Sequence, residues 1–416
     1  MVGFGILIPV FPLLISPGSP FRVTPENWSF TQGMIMLGWL QAIYPFFTFI
    51  ASPILGQLSD RHGRRPVLAL SIFGTAVGYA IFAIGISTLN IPLLFIGRAI
   101  DGLTGGNFAV AQAAVGDIST NENRAKNFGL VGAAFGMGFI IGPYLGGKLS
   151  EPNISFYGLF DTPSWFSATT PFWFAAIIAL LNCLAVLTTF PETIKQKVNS
   201  GRLHAAQAIS NVIEGFSSER LRTVLLANFL FTGGFTFFTT FFGVYLRNNF
   251  EFSASKTGDY FAIVGLFIAF AQAVVVGRVA KKLADYKVLR FSMFGNATML
   301  LVYFAIPTNH STYLYFVIPF FTLFNGLTMA NMTSLVSRSA EMGKQGQAMG
   351  IFSSVSSLAQ VPASILLGYI TSGITSSQPL VVASACIYAA AALFVIFFRP
   401  RFVSDTSLQE HGAPAH

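Results

Sequence analysis

Charge is scarce in this chain. Only 10% of its 416 residues are charged, against about a quarter in an ordinary soluble domain. Cysteine is scarcer still: Cys183 and Cys386 each stand alone in an apolar run, which excludes a disulfide framework and leaves both as small packing residues. No cluster with metal-ligand spacing occurs, so neither a metal nor any other cofactor is expected. A nucleophile–base set and a phosphate-cradling loop are also missing, which argues against an enzyme and against a nucleotide-driven pump. The N-terminus has neither a charged leader nor a small-residue cleavage site, and does not read as a signal peptide. What is abundant is apolar: 53% hydrophobic residues, with 45 Phe and 39 Gly.

Twelve apolar runs follow one another, at 2–15, 34–57, 66–87, 91–115, 126–147, 171–190, 222–246, 257–280, 288–306, 313–336, 346–370 and 379–398. Most match the ~20 residues that cross roughly 30 Å of hydrocarbon. The expected fold class is therefore an all-α polytopic membrane protein with twelve transmembrane helices. A net charge of +8 could suit nucleic acid, but the basic residues fall in alternate loops, which is a topology signal. Arg61, Arg64, Arg65, Arg124, Lys126, Lys195, Lys197, Arg202, Lys281, Lys282, Lys287, Arg290, Arg338 and Lys344 follow even-numbered runs. Odd-numbered runs are followed by Arg22, Lys148, Arg247 and Lys256. This asymmetry places both termini in the cytoplasm. The first run is anomalous, because 2–15 gives only about 21 Å of helix. Pro9 and Pro12 would bend it further, and the natural chain is expected to begin upstream.

Residues 192–220 form the longest cytoplasmic stretch, with an amphipathic surface helix expected at about 202–216. The domain organisation expected is a six-span bundle at 1–190, a cytoplasmic linker at 191–221, a second six-span bundle at 222–398 and a cytoplasmic tail at 399–416. Segment 151–170 reads as an external interfacial loop with Trp165 and Trp173 near the membrane surface. The halves repeat. Gly56 matches Gly277, Gly129 matches Gly350 and Gly147 matches Gly368, each 221 residues on, and Gly102-Leu-Thr-x-x-Asn107 recurs at 326–331. The differences carry more: Lys281 replaces Asp60, Thr322 replaces Arg98, Asn325 replaces Asp101 and Ser364 replaces Pro143. Ionisable groups are kept in the first half, where proton coupling and gating are therefore expected.

Arg98 and Asp101 lie inside span 4, three residues apart and on one helical face. A charge at the centre of a span costs ~2.5–3.5 kcal/mol, so such residues face a cavity and pair. A self-neutralising ion pair is the bland alternative. Arg98 holds its proton, which makes Asp101 the titrating member, and proton uptake would require Arg98 to turn away. Span 5 contains Gly138, Gly142, Pro143, Gly146 and Gly147. Small residues at this spacing admit a neighbouring helix, and Gly142-Pro143 removes a backbone hydrogen bond.

The turn 56–65, with Gly56, Asp60, Arg61, Gly63, Arg64 and Arg65, resembles the signature loop between spans 2 and 3 of the major facilitator superfamily. Arg98-x-x-Asp101-Gly102 resembles that family's span-4 motif, whose Arg is implicated in proton transfer; an acid at Asp101 is a departure that adds weight to it. The G-P-x-x-G-G ending of span 5 resembles the motif of the family's drug/proton antiporters, as do Asp117 after span 4 and Glu192 after span 6. The resemblance implies two pseudo-symmetric six-helix bundles, with Asp60 at the N-terminal end of span 11 and Arg64 bridging to Asp117 to hold the halves closed on the cytoplasmic side. In tetracycline-efflux-like members span 1 begins with an acid, whose place would fall just upstream of Met1.

Polar residues in apolar spans are candidates for a substrate cavity: Tyr44, Asn107, Gln112, Asn228, Gln272, Asn325, Asn331 and Gln360. Each could instead be interhelical glue worth ~0.6 kcal/mol. The function expected is export of an amphipathic small molecule in exchange for protons across a bacterial inner membrane, by a chain working as a monomer. The partners are thus substrate, protons and the lipid bilayer, with no nucleic acid. A specific metabolite exporter or importer on the same fold is the first alternative, and a non-transporting membrane sensor the second.

Overall fold

The computed structural model describes residues 2–119, 124–156, 160–194, 207–280, 283–339, 345–373 and 378–398. Helices dominate: α1 Val2–Ile15, α2 Phe30–His62, α3 Arg64–Ser87, α4 Ile91–Thr104, α5 Asn107–Asp117, α6 Arg124–Leu149 and α7 Thr170–Thr189. After these come α8 Gln207–Ser217, α9 Glu219–Phe250, α10 Ala254–Phe270, a π-helical stretch Ala271–Val276 and α11 Gly277–Ala280. The chain continues through α12 Asp285–Phe304, α13 Tyr313–Ser339, α14 Gln345–Gly373 and α15 Gln378–Phe397. Between α6 and α7, Ser155–Phe156 and Phe160–Asp161 pair as a two-stranded antiparallel hairpin.

Local chemistry sets the ends. Ser29 and Gln32 close a capping box at the start of α2, while Asn90 and Ser253 each accept a backbone N–H at the start of α4 and α10. Gly63 separates α2 from α3 at φ +107°, a conformation that favours glycine. Among the described residues, eight helices are long and apolar enough to cross a membrane. Span 1 is α1, span 4 is α4 with α5, span 5 is α6 and span 9 is α12.

Two expectations change. Span 4 is not continuous: it breaks at Gly105-Gly106 between α4 and α5. A Cβ at Gly105 would meet Thr48 Oγ1 and Tyr44 Oη at 2.9 Å, and one at Gly106 would meet Ser52 Cα at 2.8 Å. The glycines let α2 press against the break. Span 8 departs from α-helix over Ala271–Val276, an i→i+5 irregularity frequent at functional sites. The surface helix appears as α8, packed with Gly215 against Ile351 and Leu225; 202–206 lie outside the described residues, as do Lys195, Lys197, Lys281, Lys282 and Lys344.

Despite its shortness α1 is buried on all sides, with Ile6, Val10 and Leu14 fully covered, as a uniformly apolar helix should be. It packs on α6 and α9. Around it, α2 lies on α14 and α6 on α10. The outer helices expose apolar rows: Ile177, Leu181 and Leu184 on α7, Phe291 and Phe294 on α12, Ile396 and Phe397 on α15. Such rows suit lipid rather than water.

Candidate functional site

The ionisable pair of α4 is buried, as its membrane depth requires. Arg98 Nη1 donates to Asp101 Oδ2 at 3.0 Å, with side chains 4% and 5% exposed. The Arg98 guanidinium lies 4.6 Å from the centre of the Tyr44 ring on α2, a cation–π contact. Its Nε is buried with no hydrogen-bond partner. A small cavity of about 20 Å³ adjoins the pair, lined by Gln41, Tyr44, Pro45, Arg98, Thr236, Thr239, Thr240, Gln360 and Ser364. That is room for about one water. Arg98 faces this cavity, whereas Asp101 stands behind it against α3, where a Cβ on Gly78 would lie 3.1 Å from Asp101 Cβ.

The cavity candidates separate. Tyr44 and Gln360 line the cavity. Asn228 donates to Ser356 Oγ at 2.8 Å and ties α9 to α14, and Asn331 donates to Leu327 O in its own helix. Asn325 is buried with an unpartnered Nδ2. Gln272 lies exposed in the π-helical stretch beside Gly326, and Asn107 and Gln112 lie half-buried on α5. Gln41, Pro45, Thr236, Thr239 and Thr240 were not among the sequence candidates, and Ser364 was named only as the counterpart of Pro143. The threonines interrupt a Phe-rich stretch of α9, which is a weak signal because a helical Thr can satisfy itself, as Thr236 does on Thr232 O.

The glycines of α6 are contact surfaces. Gly142 and Pro143 receive α1 at Gly5, and Gly146 receives Ile6 O, 2.6 Å from the Cβ that glycine lacks. Gly147 meets α10 at Ala254 O and Gly258. Gly138 is buried in the same helix. The α2–α14 crossing repeats this geometry. A Cβ on Gly258 would lie 2.8 Å from Pro143 O and 3.2 Å from Gly147 Cα; one on Gly38 would lie 2.6 Å from Ser364 O and 3.2 Å from Gly368 Cα. Both crossings lie at the end of the bundle away from the 56–65 loop. Among the described residues, nothing lies within 4 Å of a Cβ placed at Gly56, Gly116, Gly136 or Gly350.

At the loop end, Arg64 is the hub. It pairs with Asp60 at 2.6 Å and with Asp117 at 3.0 Å, and donates to Ser59 Oγ at 2.6 Å. Thr193 Oγ1 also donates to Asp117, at 3.0 Å. Glu192 caps α3 by accepting Arg64 N at 2.8 Å and Arg65 N at 3.3 Å, while the Arg65 side chain reaches Leu187 O. A Cβ on Gly63 would collide with the Glu192 carboxylate. Arg61 is half-exposed at the end of α2. The Arg64–Asp117 bridge expected from the sequence is present, and Asp60 pairs with Arg64; the side chains of 341–347 at the start of α14, where a contact of Asp60 is expected, lie outside the described residues. All these groups belong to residues 59–193 and brace α2, α3, α5 and α7. Burial alone would raise the Glu192 pKa, but the N–H groups of Arg64, Ile194, Arg65 and Thr193 outweigh it and hold the carboxyl below its usual value.

A separate groove of about 420 Å³ lies on the flank of α2 and α4 between Trp28, Ile35, Trp39, Ile91 and Phe95. It contains none of the charged groups above.

Known proteins resemble the chain throughout its length. The family model described as Major Facilitator Superfamily matches residues 1–364 and 224–416. The class H tetracycline resistance protein of Pasteurella multocida is 31% identical over 293 residues, covering 70% of this chain and 67% of that protein. The class C tetracycline resistance protein of Escherichia coli is 28% identical over 366 residues, covering 88% and 85%. Among solved structures, the human organic anion transporter MFSD10 (TETRAN) superposes with a TM-score of 0.69 at 20% identity, covering 94% of this chain and 95% of that one.

Proposed function

The chain belongs to the Major Facilitator Superfamily, and from that premise we propose that it exports amphipathic small molecules in exchange for protons by alternating access. The observation that carries this is the buried Arg98–Asp101 pair beside the central cavity. Removing either partner of a buried pair leaves an uncompensated charge, so protonation of Asp101 and movement of Arg98 are coupled. A proton entering from outside neutralises Asp101 and releases the guanidinium toward the cavity. Inside, the proton leaves to the cytoplasm, the pair re-forms and Arg98 withdraws. Export follows if the compound binds the conformation in which Arg98 is withdrawn and leaves as Arg98 advances. Relatives named for tetracycline resistance support a drug-like substrate.

Two bundles, 1–190 and 222–398, are the moving bodies, linked by 191–221. Both termini and the tail 399–416 lie in the cytoplasm of a bacterial inner-membrane protein that works as a monomer. The glycine crossings are closed at the end away from the 56–65 loop, the end that lies outside in this reading.

Inverted vesicles test the reading. A preformed proton gradient is expected to collapse on addition of some amphipathic compounds, and not in Asp101→Asn. Compound movement that ignores the gradient would sink proton coupling. Movement of neither would favour a sensor.

A further inference from the structure

We infer that Lys148 and Asp259 form the external gate, an ion pair that must part before the central cavity can open outward; the inference rests on the alternating-access reading above. Lys148 closes the last turn of α6 and Asp259 lies in the first turns of α10. Lys148 Nζ reaches Asp259 Oδ2 at 2.8 Å and Ser255 Oγ at 2.9 Å. The Lys148 side chain is only 9% exposed, while that of Asp259 is 39% exposed. Three residues further on, Glu151 Oε1 accepts Ala254 N at 2.6 Å and seals the start of α10 onto the α6 end. These bonds span the contact between the two halves.

The internal repeat supplies the argument that this pair does more than pack. Lys148 corresponds to Tyr369 and Asp259 to Trp39, at spacings of 221 and 220 residues. In the matching α2–α14 crossing, Trp39 Nε1 points at Tyr369 Oη at 3.5 Å. The backbone approach is the same in both crossings, glycine against glycine and glycine against a carbonyl. One crossing is thus completed by neutral aromatic groups and the other by opposite charges. Packing is served by either solution, so the ion pair answers a different need.

That need is a contact that can break cheaply. A neutral crossing loses its contacts outright on separation, whereas two separated charges regain hydration, which offsets much of the lost attraction. The remaining neighbours suit this role: the Tyr144 ring lies 5.8 Å from Lys148 Nζ, and Asp259 Oδ1 is buried without a partner. Loss of either charge strands the other in the closed state and favours opening.

The experiment uses the full chain in intact cells. With Cys183→Ala and Cys386→Ala as background, Thr239→Cys places a thiol in the central cavity, and a membrane-impermeant maleimide is added outside. Asp259→Asn and Lys148→Gln are each expected to raise the labelling rate by about tenfold, the response to roughly 1.4 kcal/mol. The charge-swapped pair Lys148→Asp with Asp259→Lys should return it toward the parent rate. Single variants that label like the parent would overturn the gate. So would faster labelling that the swap does not reverse, since that belongs to damaged packing. If alternating access itself is wrong, the parent thiol stays unlabelled from outside even with an imposed proton gradient and exported compound. If only the gate is wrong, the parent is labelled during turnover and the single variants match it.

Discussion

Glu192 shows how one carboxylate can hold an element in place. It accepts the first backbone N–H groups of α3, where the helix dipole also favours a negative charge. Because its pKa is lowered in the fold, its contribution is complete above the ordinary carboxylate pKa. It is lost as pH falls through the lowered value. Glu192→Gln should therefore cost about 1 kcal/mol at pH 7, the usual effect of losing a cap. Thermal unfolding in detergent at pH 7 and in acid checks this: the gap between variant and parent narrows in acid. The sequence flagged Arg98, Asp101, Arg64 and Asp117 because intramembrane and gate charges stand out against an apolar background. Thr236, Thr239 and Thr240 did not stand out, since a threonine in a helix can hide its hydroxyl on its own backbone.

At the scale of elements, glycines divide into two sets that one sequence pattern cannot tell apart. Gly147 already touches α10, so Gly147→Val overpacks a closed crossing and should cost about 1–3 kcal/mol of stability. Among the described residues, nothing lies within 4 Å of the Cβ that Gly56 lacks. Gly56→Leu should therefore leave thermal stability near the parent value yet block export, because the loop end could no longer close. Measuring melting temperature and vesicle transport for both variants separates the two roles. An unfolded Gly56→Leu, or one that transports normally, would refute the assignment. The break in span 4 belongs to the same scale. Gly105 and Gly106 look like ordinary membrane glycines, and only the closeness of Tyr44, Thr48 and Ser52 on α2 gives them a purpose.

For the whole molecule, the cycle requires the α2–α14 crossing to separate. Trp39 and Tyr369 meet across this crossing, with Nε1 3.5 Å from Oη, so cysteines at these two positions can be joined by a short, reducible bis-thiol cross-linker. In a background lacking the native cysteines, Trp39→Cys with Tyr369→Cys should export before cross-linking, stop when cross-linked and resume on reduction. Export that continues under full cross-linking would mean that the halves do not part at this crossing. The sequence by itself determined the membrane class, the spans and the charged motif residues. Runs of ~20 apolar residues and isolated intramembrane charges are local signals with few other physical explanations. Tertiary structure alone decided which partner each charge takes. Asp60 turns to Arg64, and Lys148 reaches Asp259 from 111 residues away. It also decided which glycines are in contact and which wait, since helix approach depends on how the two halves stand and not on spacing along either one.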